Sequence, residues 1–218
     1  MSKLTVVCVF VHGHVPFTAE YVVRLQSMAQ RLLPSHRFVC LTDQAASLPQ
    51  TIDTIEVRPP KGVYAWWTKL QLFNPELPLR GRCVYFDLDV LLLGGLRDIA
   101  DFPAEFALAP DGAPNFKPKA KALKVVKRFN SSVMVWDAGA RPELFTDWRL
   151  TDAGRLWGDQ DWIGERAYDA AAMPLDWFPR LSESGPPPWL PPAKVMLCKK
   201  PKNLDAAVKW SWFNEAWQ

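Results

Sequence analysis

Two aspartates two residues apart, Asp87 and Asp89, interrupt an otherwise apolar run over residues 83–93. The run reads CVYFDLDVLLL, and its β-branched, aromatic and aliphatic residues are typical of a buried β-strand. Because side chains alternate along a strand, we expect both carboxylates on the same face. Two buried carboxylates side by side are costly, so the pattern predicts a cation bound between them or by one of them.

The geometry of a strand limits how these two carboxylates can hold an ion. Two residues of strand span about 7 Å, which is too far for both groups to bind one ion symmetrically. We therefore expect the strand to end near Asp87, with Asp89 as the direct metal ligand and Asp87 acting through a water or a ligand hydroxyl. Ligation by oxygen alone favours Mg²⁺ or Mn²⁺. The alternative is that both aspartates are turn carboxylates that cap the end of a strand.

The bulk composition favours one globular domain without a nucleic-acid partner. The chain has 218 residues, of which 49% are hydrophobic, enough for a sizeable core. A net charge of +3 is too small to indicate nucleic-acid binding. The four cysteines are far apart and form no CxxC pair, which predicts core thiols in a reducing compartment. The sequence contains no transmembrane run and no signal-peptide pattern, so we expect a cytoplasmic protein.

The first part of the chain predicts a parallel α/β sheet. Residues 4–11 are a continuous apolar run typical of a strand buried on both faces, and Thr18 precedes a helical pattern. Residues 37–41 and 52–57 predict the next two strands, so the chain opens as a parallel βαβ unit. In such sheets ligands bind beyond the carboxyl ends of the strands. The residues at those positions are Val11, His12, Gly13, His14 and Asp43.

Further elements follow the same logic along the chain. Residues 64–73 predict a helix whose apolar stripe leaves Lys69 free to reach a ligand. Residues 106–109 and 195–198 predict short strands, and FNSSVMVW over residues 129–136 begins polar and continues as a strand.

Two more segments carry polar residues of interest. Asp159 and Asp161 follow Gly158. If they have a purely structural role, they cap the start of a helix that continues from Asp161. The lysine-rich segment 115–128 predicts a solvated surface loop rather than a specific basic site. A tryptophan-rich helix is predicted at the C-terminus.

Four segments in a fixed order carry a family resemblance. They are WTKL (67–70), YFDLD (85–89), FNSSVM (129–134) and GDQ (158–160). With the opening strand, its glycine-containing loop and RFVCLTD (37–43), this order resembles bacterial glycosyltransferases of the GT-A fold, in the group of glycogenin and the lipopolysaccharide galactosyltransferases. The resemblance implies a single α/β domain with one mixed Rossmann-like sheet flanked by helices. Its nucleotide-binding part would cover about residues 1–95 and its acceptor-side part about residues 96–218.

The resemblance also implies an activity and roles for individual residues. The activity is metal-dependent transfer of a sugar from a nucleoside diphosphate sugar, with a UDP-sugar as the first candidate, to an acceptor hydroxyl with retention at the anomeric carbon. The metal is Mn²⁺ or Mg²⁺. The implied catalytic residues are Asp159 and Gln160, and the implied metal ligands are Asp87, Asp89 and Cys198. The implied donor contacts are Val11, His12, Gly13, Asp43, Lys69, Asp87, Leu88, Asn130, Ser131 and Lys202.

The chain departs from the family pattern at two places. Cys198 stands where relatives carry a metal-binding histidine, and a thiolate is a soft ligand that matches Mn²⁺ or Mg²⁺ poorly. Lys202 still fits the position of the lysine that binds the diphosphate. Residues 180–183 read RLSE where relatives often carry Ser-Tyr-Lys, so contacts of the family at that place do not carry over.

Two rival interpretations remain from the sequence. In a phosphohydrolase of the haloacid-dehalogenase type, Asp87 would be the nucleophile and Asp89 an acid/base. About 80 residues precede this pair, whereas such enzymes place it on an early strand. In a degenerate binding module, the fold would bind a nucleotide sugar without turning it over. The acceptor stays open among a surface glycan precursor, a lipid-linked sugar and a protein, and so does peripheral association with a membrane.

Overall fold

The computed structural model describes residues 4–13, 17–33, 35–111, 129–181, 192–198 and 211–217. The strands are β1 (Leu4–Phe10), β2 (His36–Thr42), β3 (Asp53–Glu56), β4 (Arg82–Phe86), β5 (Val90–Leu92), β6 (Phe106–Pro110), β7 (Phe129–Asp137), β8 (Ala171–Ala172), β9 (Arg180–Leu181) and β10 (Val195–Cys198). The α-helices are α1 (Ala19–Leu32), α2 (Leu96–Ala100), α3 (Glu143–Thr146), α4 (Leu150–Arg155), α5 (Asp159–Arg166) and α6 (Ser211–Trp217). Short 3₁₀ helices lie at Ala45–Ser47, Ala65–Phe73 and Leu175–Trp177.

Seven strands form the central sheet in the order β3-β2-β1-β4-β7-β6-β8. Strand β1 lies parallel to both β2 and β4, and β2 lies parallel to β3. The predicted parallel βαβ opening is therefore confirmed. Strand β7 is antiparallel to β4 and to β6, which makes the sheet mixed. The expected α/β class with one mixed sheet flanked by helices is confirmed.

Both faces of the central sheet are buried, and β1 contributes to both. Val6 and Cys8 pack into a core with Leu25 of α1, whereas Val7 packs into a second core that contains Trp67 and Trp162. Alternate residues of a strand point to opposite faces, so a strand covered on both sides has to be apolar throughout. This arrangement explains why residues 4–11 show no polar alternation.

The apolar run over residues 83–93 is divided between two sheets. Strand β4 ends at Phe86 in the central sheet, and β5 begins at Val90 in a small sheet of order β5-β10-β9. The expectation of one continuous strand over this run is wrong, whereas the expected end of the strand near Asp87 is confirmed. Asp87 and Asp89 therefore lie in a corner between the two sheets.

The last described helix closes one side of the fold. Trp217 of α6 is buried and meets the ring of Tyr21 of α1 edge to face, with ring centroids 5.8 Å apart. None of the described helices is long and apolar enough to cross a lipid bilayer. The predicted lysine-rich loop at 115–128 lies outside the described residues.

Candidate active site

The corner after β4 carries the two aspartates predicted to bind a cation. The backbone amide of Asp87 donates to the carbonyl of Ser132 at 2.9 Å, which ties the corner to β7. Leu88 between the aspartates is buried, while Asp87 and Asp89 both line two adjoining cavities. The corner therefore presents the carboxylates at the carboxyl end of a central strand, where ligands bind in open α/β sheets.

Lys69 reaches this corner from the 3₁₀ helix Ala65–Phe73. Trp67, Leu70 and Phe73 are buried at the three-residue spacing of such a helix, and Lys69 lies off their stripe, as predicted. The side chain of Lys69 is only 8% exposed, but it lines the first cavity, so its predicted contact with a ligand stays a prediction. Its ammonium forms ion pairs with Asp87 Oδ1 at 2.9 Å and with Asp159 Oδ2 at 3.2 Å.

Ser131 connects β7 to the beginning of α5. Its hydroxyl accepts from the ammonium of Lys69 at 3.1 Å and donates to Asp159 Oδ2 at 2.8 Å. Its backbone amide points to Gln160 Oε1 at 3.5 Å. The sequence segments that contain Lys69, Asp87, Ser131 and Asp159 are thus joined in one buried polar network, although they are far apart along the chain.

Tyr85 is a member of this network that the sequence analysis missed. Its hydroxyl donates to Asp87 Oδ1 at 2.5 Å, and the ammonium of Lys69 lies 5.2 Å from the centre of its ring. Burial and then the charge of Asp87 raise the pKa of Tyr85 well above its usual value, so the hydroxyl keeps its proton. The sequence held a signal for this contact, because Tyr85 stands two residues before Asp87.

The two aspartates of the corner have opposite electrostatic environments. Burial alone would raise the pKa of Asp87, but the ammonium of Lys69 and the hydroxyl of Tyr85 lower it. Burial and then the charge of Asp87 raise the pKa of Asp89 to about 7. Among the described residues, none forms an ion pair with Asp89. Asp89 is therefore the carboxylate of this corner that has no positive partner within the described part of the chain.

The donor set was compared with the needs of a divalent cation. An unpaired carboxylate with a raised pKa, beside a second carboxylate, suits a hard cation such as Mn²⁺ or Mg²⁺. Cys198 lines the same cavity as Asp89, but burial and then the charge of Asp89 raise its thiol pKa far above the usual value. A thiol is also a soft ligand that matches a hard cation poorly. The two aspartates fit the ion, and the thiol does not.

The third predicted metal ligand is not assembled with the other two. Within the described part of the chain, no group of three or more His, Cys, Asp or Glu side chains could hold a metal ion. The roles of Asp87, Asp89 and Cys198 as metal ligands stay predictions.

The predicted donor contacts fall into two groups. One cavity is lined by the predicted donor contacts Lys69, Asp87, Leu88 and Ser131 and by the predicted catalytic residues Asp159 and Gln160. Asn130 lines the adjoining cavity. The base-side group lies on the loops after β1 and β2. There the backbone amide of His12 donates to Asp43 Oδ1 at 3.0 Å, and Gly13 with φ +75° lies against Ala65. Val11 is buried beside them. His14 and Lys202 lie outside the described residues.

The 3₁₀ helix also supplies a wall of the first cavity. Trp66 lines this cavity, together with Val9 and Phe17, which the sequence analysis did not select. A Cβ atom on Gly158 would lie only 3.1 Å from Trp66 Nε1, so glycine at this position lets the indole pack against the start of α5. Trp66 thereby stands next to Asp159 and Gln160, the predicted catalytic residues.

Comparison with known proteins was made on sequence and on structure. No protein-family profile and no curated protein sequence matches the chain. The solved structure of the galactosyltransferase LgtC with donor and acceptor sugar analogues matches with a TM-score of 0.68 and 16% identity, over 98% of this chain and 95% of that one. Mouse xyloside xylosyltransferase 1 matches with a TM-score of 0.55 and 14% identity, over 89% of this chain and 97% of that one.

A third match extends the same pattern. The bifunctional glycosyltransferase WbbM has a TM-score of 0.58 and 13% identity, over 99% of this chain and 51% of that one. At such identities the likeness concerns the fold. The central sheet and its flanking helices therefore have the GT-A fold of these glycosyltransferases.

Proposed function

We propose that this protein is a metal-dependent glycosyltransferase that moves a sugar, a hexose in the first instance, from a nucleoside diphosphate sugar to an acceptor hydroxyl. UDP is the first candidate for the nucleotide. The observation that carries the proposal is the corner after β4. There Asp89, which forms no ion pair with any described residue, stands beside Asp87 at a cavity that Asp159 and Gln160 also line. The likeness of the fold to a galactosyltransferase bound to sugar analogues supports the same activity.

The charges of the site explain why a cation would be required. Asp87 and Asp159 are balanced in part by Lys69, but Asp89 adds a further negative charge at the cavity. A diphosphate would be repelled by such a site. When bound by Asp89 with the help of Asp87, Mn²⁺ or Mg²⁺ would supply Lewis-acid stabilisation of the diphosphate leaving group.

The remaining residues would hold the donor in place for transfer. Lys69 fixes Asp87 and Asp159 so that both carboxylates keep one orientation. Asn130 accepts from the amide of Ser132 at 2.8 Å, which leaves its side-chain amide group as a donor towards the sugar. On the base side, Val11, His12, Gly13 and Asp43 would contact the nucleoside. Positioning of this kind is a large part of catalysis in group transfer.

Retention at the anomeric carbon has two routes, and the geometry favours one. In the covalent route Asp159 would attack the anomeric carbon. Its Oδ2 already accepts from Ser131 and pairs with Lys69, and both contacts stabilise the anion and lower its nucleophilicity. We therefore favour a front-face route, in which the acceptor oxygen attacks on the side of the departing phosphate and Gln160 stabilises the positive charge at the sugar. Mass-spectrometric trapping of a sugar on Asp159 would decide for the covalent route.

The phosphohydrolase alternative shares the aspartate pair at the end of a buried strand, but two observations disfavour it. In that mechanism Asp87 attacks phosphorus with a carboxylate oxygen, and here Lys69 and Tyr85 hold Oδ1, which leaves only Oδ2. Strand β4 also lies beside the antiparallel β7 in a sheet of the GT-A type. The binding-module alternative differs from the proposal only in turnover, and the same experiment addresses it.

The decisive experiment is UDP binding by calorimetry, with and without Mn²⁺, on the wild-type chain and on Asp89→Asn. We expect Mn²⁺-dependent binding that falls at least tenfold in the variant, because the amide cannot replace the charge on the ion. Asp98→Asn is the matched control, since Asp98 lies on α2 and lines neither cavity. Absence of UDP binding to the wild type, both with and without Mn²⁺, would refute the proposal for this nucleotide. Binding without turnover of any UDP-sugar, tested as free UDP release, would favour a binding module.

A further inference from the structure

Arg180 lies at the edge of the site and has no role in the arrangement described so far. It lines the second cavity together with Asp87, Asp89 and Cys198. Its position follows from β9, because Arg180 pairs in register with Leu197 of β10, next to Cys198. Main-chain pairing thus places a cation on the wall of the cavity that the two aspartates also line.

The two cations that line the described cavities differ in their availability. The side chain of Lys69 is 8% exposed, and its ammonium lies between two carboxylates. The side chain of Arg180 is 46% exposed. Of the described cations at the two cavities of the site, Arg180 is therefore the one that a ligand can reach from solvent.

Asp111 holds Arg180 in position without using up its hydrogen-bonding capacity. Arg180 Nη2 donates to Asp111 Oδ1 at 2.5 Å, and the side chain of Asp111 is only 9% exposed. A guanidinium group has five N–H donors in a rigid planar fork. One contact to a carboxylate leaves most of these donors available, and it reduces the conformational entropy that the side chain would lose on binding a ligand.

We propose that Arg180 binds the diphosphate of the nucleotide-sugar donor and that Asp111 is a positioning residue for it. This inference rests on the proposed function. During transfer the bond from the anomeric carbon to the phosphate oxygen breaks and its electron pair stays on that oxygen. The acceptor oxygen forms the new bond to the carbon, and its proton passes to the departing phosphate. Arg180 stabilises the charge that remains, because paired N–H donors match phosphate oxygens in geometry and charge.

The competing explanation is that the ion pair only fastens β9 to the end of β6. Partly exposed ion pairs contribute little to stability. In that case loss of Arg180 would change the melting temperature slightly and would leave ligand binding unchanged. The two explanations therefore differ in a measurable property of the folded protein.

The test compares UDP and uridine binding, in the presence of Mn²⁺, by calorimetry and by ligand-observed NMR. For Arg180→Gln we expect the Kd for UDP to rise at least tenfold while the Kd for uridine stays within twofold, since uridine has no phosphate. Arg180→Lys should lie between the wild type and Arg180→Gln, because a lysine keeps the charge and loses the fork. Asp111→Asn should weaken UDP binding about threefold through loss of positioning.

Arg97→Gln is the matched control, because Arg97 is also an exposed arginine paired to one aspartate, Asp101, and lines neither cavity. It should leave both dissociation constants unchanged. UDP binding by Arg180→Gln equal to that of the wild type, or an equal loss for UDP and uridine, overturns this inference alone. Absence of UDP binding by the wild-type chain overturns it together with the proposed function. A melting temperature within about 2 °C of the wild type excludes misfolding of a variant.

Discussion

Removal of the Lys69 ammonium is the sharpest test of the buried network. The change is Lys69→Met, which keeps the length of the side chain and removes its charge. Asp87 and Asp159 would then lose ion pairs of 2.9 Å and 3.2 Å in a place where the lysine side chain is 8% exposed. Removing one partner from a buried ion pair costs about 3–5 kcal/mol. For a domain of this length the melting temperature should fall by roughly 6–20 °C.

The pH dependence of this loss has a defined sign. In the wild type burial would raise the pKa of Asp87, but Lys69 and Tyr85 lower it. A carboxyl with a lowered pKa stabilises the fold above its unfolded pKa of about 4, and this contribution disappears as the pH falls through the folded pKa. In Lys69→Met the carboxylates are uncompensated and are relieved by protonation. The difference in melting temperature should therefore be larger at pH 8 than at pH 4.

Lys194→Met is the matched control for this experiment. The side chain of Lys194 is as buried as that of Lys69, at 8% exposure, but its partner Asp98 is 61% exposed. Its removal leaves a carboxylate in water, so we expect a loss of only about 1 kcal/mol. The assay is thermal unfolding followed by circular dichroism at both pH values. Equal losses for the two variants at pH 8, or a loss in Lys69→Met that does not shrink at pH 4, would refute the reasoning.

Two further predictions concern the metal site. Without metal, Asp89→Asn should be more stable than the wild type at pH 8 by roughly 1–3 kcal/mol. The reason is that a carboxyl with a pKa raised to about 7 destabilises the fold as it ionises. This gain in the free energy of unfolding should vanish towards pH 4, where the wild-type carboxyl is protonated. Denaturant titration with added Mn²⁺ should reverse the order, and a gain that does not depend on pH contradicts the argument. Cys198→Ser should keep Mn²⁺-dependent UDP binding within about threefold, because a thiol is a soft ligand that matches Mn²⁺ poorly. Cys198→His should tighten this binding about tenfold or more, because imidazole suits such an ion better than a thiol does. Abolished binding in Cys198→Ser would show that the thiol is a ligand.

The local pattern of apolar and polar residues was sufficient to predict most of the helices and strands. The apolar run over residues 4–11 became β1 because both faces of that strand are covered, and the helical spacing after Thr18 became α1. The run over residues 83–93 was misjudged for a physical reason. Strands β4 and β5 are both buried, so their apolar composition is the same, and nothing in it marks the turn that moves the chain from one sheet to the other.

The candidate site could be predicted in its composition but not in its pairing. The positions of Asp87 and Asp89 at the end of a buried strand followed from the sequence, since carboxylates inside an apolar run need a partner. The same reasoning did not find Tyr85, and it left Lys69 free. A hydrogen bond or an ion pair depends on which elements meet in space, and Lys69, Tyr85 and Asp159 belong to three different elements.

The amino-acid sequence alone specifies that acidic side chains end the central strand and that their charge has to be balanced. The tertiary structure decides which carboxylate receives that balance. Lys69 pairs with Asp87 and Asp159, whereas Asp89 forms no ion pair with a described residue, and burial and then the charge of Asp87 raise its pKa to about 7. The physical reason is that the electrostatic energy of a charge depends on its distance to other charges and on its burial. Both quantities are set by the packing of the 3₁₀ helix, β4 and α5 against one another.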